Sequence, residues 1–109
     1  MPDHLFYSPQ VQLDLDEILD YFVLELGNAE KGREIVGQIL AAARKIPGHA
    51  TRFPLVGPLP LTLDVYRFMQ VGSYLIFFRT EGEDVYIDRV LHNRRDIISF
   101  LGVADGRGG

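Results

Sequence analysis

Arg67, Arg79, Arg89, His92, Arg94 and Arg95 are the side chains of this sequence best equipped to act on a phosphate. Guanidinium groups are planar, permanently charged forks that match phosphate and carboxylate oxygens. Histidine changes charge near neutral pH and serves as a general acid or base. A metal-free ribonuclease needs a base for the 2′-hydroxyl, cations for the charge that builds on phosphorus and an acid for the leaving oxygen. His92 with Arg67 and Arg89 supplies those ingredients. A histidine after a strand is more often a polar residue capping the next segment than a catalyst, and Asp88 and Asp96 read as salt-bridge partners of neighbouring arginines. Other chemistries find less support. Cysteine is absent, which excludes a disulfide framework, a thiolate nucleophile and cysteine-bound zinc. His4 and His49 have no zinc-ligand spacing, and no glycine-rich phosphate loop, serine elbow or paired-carboxylate motif occurs, so neither a metal nor a cofactor is expected.

The elements that must position these residues follow from periodicity. Tyr66–Arg79 and Val85–His92 read as a three-stranded antiparallel meander, with Gly72-Ser73 as the first turn and Glu81-Gly82-Glu83-Asp84 holding the second. Ahead of it, His4–Tyr7 reads as a short strand, and Ser8-Pro9 as the N-cap and first position of a helix. Val11, Leu15, Ile18, Leu19, Phe22, Val23 and Leu26 form that helix's apolar stripe, and Gly27-Asn28 ends it. A second helix, from about Ala29 to Ile46, carries Ile35, Ile39, Leu40, Ala43 and Ile46 and stops at Pro47-Gly48. So short a link predicts an antiparallel hairpin. Residues 47–63, rich in proline and glycine, are expected to form an extended connector without regular structure. A last helix is expected from about Arg95 to Leu101, then a frayed tail over about 102–109.

Two-residue turns set the faces. One sheet face should carry Val65, Arg67, Met69, Val71, Tyr74, Ile76, Phe78, Ile87, Arg89 and Leu91. The opposite face should carry Tyr66, Phe68, Gln70, Leu75, Phe77, Arg79, Tyr86, Asp88, Val90 and His92. The first set is more aliphatic and is expected to meet the helices. The second leaves an aromatic patch around Arg79, Asp88 and His92, of the kind that marks a partner site. A one-residue slip inverts a strand's assignment.

At 109 residues the chain is long enough for one domain with one modest core, and residues 1–109 are read as that domain. An apolar share of 47% marks a globular protein. The absence of a long apolar run or signal-peptide pattern predicts a cytoplasmic location without a membrane anchor. The net charge of −4 argues against coating nucleic acid. Acids dominate residues 1–46, whereas every base beyond them is an arginine, which suits a specific acidic partner or an RNA phosphate.

The order strand, helix, helix, connector, three strands, with Ser8-Pro9, Leu13-Asp14-Leu15-Asp16-Glu17-Ile18, Tyr21, Pro47-Gly48, Tyr66-Arg67, Tyr74, Phe78-Arg79, Arg89-Val90-Leu91-His92 and Arg95-Asp96 in place, resembles the ParE branch of the bacterial ParE/RelE toxins over about residues 4–101. The resemblance implies an α+β fold: an N-terminal strand, an antiparallel helix hairpin, a three-stranded meander and a short C-terminal helix. ParE-like toxins are poisons of DNA gyrase that trap cleaved DNA, and they are held inactive by a ParD-type antitoxin. RelE-like relatives cleave messenger RNA on the ribosome with a basic, often lysine-rich surface and a C-terminal histidine or tyrosine cluster. This chain has only Lys31 and Lys45, is acidic and has no tyrosine after Tyr86, which favours ParE. The expected target contacts are Arg67, Arg79, Arg89, His92 and Arg95. The expected antitoxin anchors are Leu15, Leu19, Phe22, Phe68 and Phe77. The alternatives are a ribosome-dependent endoribonuclease using His92, Arg67 and Arg89, and a degenerate, non-toxic antitoxin-binding module.

Overall fold

The structure, a computed structural model, describes residues 4–55 and 66–92. Strand β1 (Leu5–Tyr7) leads into helix α1 (Pro9–Asp20), whose last part widens into a π-helical turn, Tyr21–Glu25. Helix α2 (Ala29–Ala43) and a single 3₁₀ turn, Ala50–Arg52, come next, followed by β2 (Arg67–Val71), β3 (Tyr74–Glu81) and β4 (Asp84–His92). The fold is α+β, with the meander and helix hairpin where sequence periodicity put them. The expected helix near Arg95–Leu101 and the tail lie outside the described residues.

The sheet has the order β1-β4-β3-β2. β1 lies parallel to β4, with Phe6 beside Tyr86, which completes a mixed four-stranded sheet. Both hairpin turns place glycine first, Gly72 at φ 60° and Gly82 at φ 63°, the backbone that a two-residue type II′ turn requires. The first hairpin keeps the expected register, Val71 opposite Tyr74 and Arg67 opposite Phe78. The second does so only as far as Phe78 opposite Ile87. Phe77 then pairs with Arg89, leaving Asp88 as the extra residue of a β-bulge.

That bulge corrects the face assignment of the end of β4. Val90, expected on the outer face, is buried in the main core with Val11, Leu15, Ile18, Ile39, Ile76, Phe78 and Ile87. Leu91, expected against the helices, instead joins Phe77 in a second cluster bordered by Tyr66, Phe68 and Leu75. Ser8 explains how the bulge is held. Its backbone has N-cap geometry, but its hydroxyl donates to the Asp88 carbonyl at 2.9 Å instead of capping α1. Its amide extends the β1–β4 pairing by donating to the Ile87 carbonyl, also at 2.9 Å.

The hairpin closes through Gly32. A Cβ there would lie 2.9 Å from Leu19 Cδ1 and 2.9 Å from Phe22 Cβ, so the helices meet where α2 has no side chain. Asn28 caps α2 by accepting from the Lys31 amide at 3.0 Å. The helix ends at Ala43, short of the expected Ile46, and Ile46 is buried from the turn that follows.

Candidate functional site

Asp14 is the buried charged residue among the described side chains, at 5% exposure. Its carboxylate accepts from Arg89 Nε at 2.9 Å, from Arg89 Nη2 at 3.0 Å and from the Val90 amide at 2.9 Å. β1 ends at Tyr7, so α1 takes over the edge of β4 from there, with Asp14 satisfying an amide that a neighbouring strand would otherwise bind. Arg89 is thus the partner of a buried carboxylate in a bidentate pair.

Arg67 is engaged elsewhere. Its Nη1 donates to the Phe53 carbonyl at 2.6 Å, and Leu55 bridges its backbone, so it pins the connector to β2. Arg79 lies on the opposite sheet face. Its Nε donates to Asp88 at 3.1 Å and its Nη1 to Glu81 at 3.0 Å, and its guanidinium sits 4.6 Å from the Tyr86 ring centre. Phe6 stacks on the same ring at 5.1 Å, giving the row Phe6, Tyr86, Arg79 across three strands. The Tyr66 hydroxyl donates to Asp88 at 2.8 Å. Burial, then the hydrogen bond to Asp88 and its charge, raise the Tyr66 pKa above the usual tyrosine value, with Arg79 opposing. Burial likewise raises that of Tyr7, with the Arg44 charge opposing.

His92 pairs across the sheet with Tyr74, whose ring it meets edge-on at 5.5 Å. It borders a cavity of about 310 Å³ with Tyr21, Phe22, Gln38 and Ser73. Arg67 pairs with Phe78, which lies four residues along β3 from Tyr74, or about 13 Å at strand spacing. The structure therefore does not bring His92, Arg67 and Arg89 together around one phosphate. Arg95 lies outside the described residues. Among the described residues, no cluster of three or more metal-ligating side chains occurs.

Of the expected antitoxin anchors, Leu15 and Phe77 are committed to the chain's own cores, at 7% and 1% exposure. Their helical or strand stripe marked them as buried without saying by what. Leu19 and Phe22 lie half-buried against Gly32, and Phe68 borders the second cluster. Among the described residues the exposed large apolar side chains are others: Leu13, Tyr21, Val23, Leu24 and Leu26 along the helical hairpin, with Leu24 at 76%, and Phe6, Tyr7 and Leu55 away from it. Sequence reading also passed over a groove of about 590 Å³ lined by Arg44, Lys45, Pro47, His49, Arg52, Phe53 and Met69.

The model of a known family, described as the ParE toxin of the type II toxin–antitoxin system parDE, matches residues 5–97. The chain belongs to the ParE toxin family. A solved structure titled as the chromosomal ParDE TA system from P. aeruginosa shares its fold, with a TM-score of 0.65 and 22% identity over 81% of this ParE-family chain and 92% of that one. Comparison with curated proteins finds no match. The ParE-family match covers α1, α2 and all four strands, so the bulge, the Asp14–Arg89 pair and the helix hairpin all lie within it. No described helix of this ParE-family chain is long and apolar enough to cross a membrane.

Proposed function

We propose that this ParE-family toxin acts by binding DNA gyrase and is neutralised by an antitoxin that covers its helix hairpin. The observation carrying the first part is the separation of the candidate ribonuclease residues. Arg89 is held by Asp14, Arg67 by the Phe53 carbonyl, and His92 pairs with Tyr74, four residues along β3 from Phe78, the partner of Arg67. A binding poison needs no convergence of acid, base and phosphate clamp. It needs a surface, and Arg67, Arg79, Arg89 and His92 are each partly exposed on described strands.

The second part is supported by the apolar side chains that α1 and its π-helical turn leave in water. Leu13, Val23, Leu24 and Leu26, flanked by half-buried Leu19, Phe22 and, on the sheet, Phe68, offer anchors to a segment that folds on binding. Apolar anchors seated in such a surface contribute more than rim charges do.

Purified protein is incubated with gyrase, relaxed plasmid and ATP, in parallel with a translation reaction containing intact messenger. Blocked supercoiling or trapped cleaved DNA with unharmed messenger is the expected result. Cut messenger with normal supercoiling, abolished by His92→Ala, overturns the gyrase reading in favour of the ribonuclease. Co-expressed antitoxin should restore growth to cells making the toxin, and Leu24→Asp should reduce that rescue.

A further inference from the structure

β1 closes one side of the sheet, and its own far edge, turned away from β4, is open. The Val85 amide donates to the His4 carbonyl at 2.6 Å and the Ser8 amide to the Ile87 carbonyl at 2.9 Å, so the main chains of His4, Phe6 and Ser8 face β4. Strand alternation turns those of Leu5 and Tyr7 outward. Neither has a main-chain partner among the described residues. Edge strands are usually guarded by charge or proline, but residues 5–7 carry neither. Their side chains are open as well. Phe6 keeps 44% exposure although it stacks on Tyr86, and Tyr7 keeps 43%.

We propose that two copies of this chain pair antiparallel through β1, joining their four-stranded sheets into one. The outward main chains of Leu5 and Tyr7 set the register. Leu5 exchanges both main-chain hydrogen bonds with the partner's Tyr7, and Tyr7 with the partner's Leu5, about a two-fold axis at Phe6. Phe6 then faces the partner's Phe6 at a non-hydrogen-bonded position, where side chains come closest. It lies on the sheet face away from the helices, since Leu5 beside it borders the main core. The row Phe6, Tyr86, Arg79 thus continues into its own image, four rings with a guanidinium at each end. The two Arg79 side chains share one face and stand about 24 Å apart, at strand spacings of about 4.8 Å.

A second copy fits this edge better than a foreign strand. An acidic or basic partner finds nothing of opposite sign on residues 5–7. The register sets His4 against the partner's Ser8, so the paired strands oppose no like charges. The pairing is also confined to a short segment. Pro9 opens α1 two residues past Tyr7 and ends it. At the other side of the sheet the Phe68 amide of β2 is already taken by the Pro54 carbonyl at 3.1 Å, so the assembly closes at two copies instead of growing.

With no cysteine in the chain, Phe6→Cys introduces a single thiol. Cα atoms about 4.5 Å apart at such a pair are within reach of a disulfide. Under glutathione oxidation the full chain carrying Phe6→Cys should form a covalent dimer at least tenfold faster than Leu13→Cys, an exposed position outside β1. Sedimentation equilibrium from about 10 to about 500 µM should show the unmodified chain passing from monomer to dimer. Tyr7→Pro, which removes an outward amide and keeps those facing β4, should weaken that association at least tenfold. So should Phe6→Asp, which sets two carboxylates opposite each other, and thermal melts check that each variant is folded. A chain that stays monomeric across the range, or equal cross-linking at the two positions, overturns the proposal. A dimer that survives both β1 variants and is lost in Leu24→Asp overturns it too, because that dimer uses the helix hairpin.

Discussion

At Asp14, three hydrogen bonds converge on a carboxylate that water scarcely reaches. Losing the carboxylate leaves the buried Val90 amide without an acceptor, at a cost of about 1–3 kcal/mol, while Arg89, its side chain 29% exposed, can turn to water. Asp14→Ala should therefore lower the unfolding free energy by about that amount in denaturant titration, with Asp14→Asn less damaging because its amide oxygen still accepts from Val90. Tyr66 gives a pH-dependent signal. Its pKa lies above the ordinary 10.0, chiefly through burial and then through Asp88. The neutral phenol is therefore favoured in the fold, and its contribution to stability is complete below pH 10 and is lost as pH rises through the folded value. Ultraviolet titration should show a late-ionising tyrosine whose midpoint falls in Asp88→Asn.

The elements separate what the sequence displayed from what it concealed. Both helices, the hairpin turns and the register of β2 on β3 were legible, because each rests on local chemistry: apolar spacing, a proline at N1, a glycine opening each turn. The bulge at Asp88 was not, since it is stabilised by Ser8, far away in sequence and docked only once β1 lies on β4. The site suffered from the same cause. Arg89 looked like a free cation because its partner Asp14 appeared on the polar flank of a helix, and an insertion of one residue in β4 turned Val90 inward. Two glycines of α2 test the packing. Gly32→Ala should destabilise by about 1–2 kcal/mol, as overpacking against the fixed Phe22 Cβ outweighs the gain in helix propensity. Gly37, with nothing within 4 Å of its would-be Cβ, should tolerate alanine and gain about 0.5–1 kcal/mol. Denaturant midpoints of the pair should move in opposite directions.

Taken as a whole molecule, the chain is fastened between its first and last described strands. β1 on β4, Ser8 on Asp88 and Asp14 on Arg89 join positions separated by 80, 80 and 75 residues. Hairpins and helices need only short loops to form, whereas these clasps wait for most of the chain to be ordered, since closing long loops costs entropy before any contact offsets it. They should accordingly be absent from the folding transition state. Stopped-flow measurements on Asp14→Asn should find the refolding rate nearly unchanged and unfolding accelerated by most of the lost stability. That ordering makes the N-terminal clasp a governor of lifetime: the rate at which β1 and Asp14 release β4 should set how long a folded molecule lasts once formed, independently of how fast it was made.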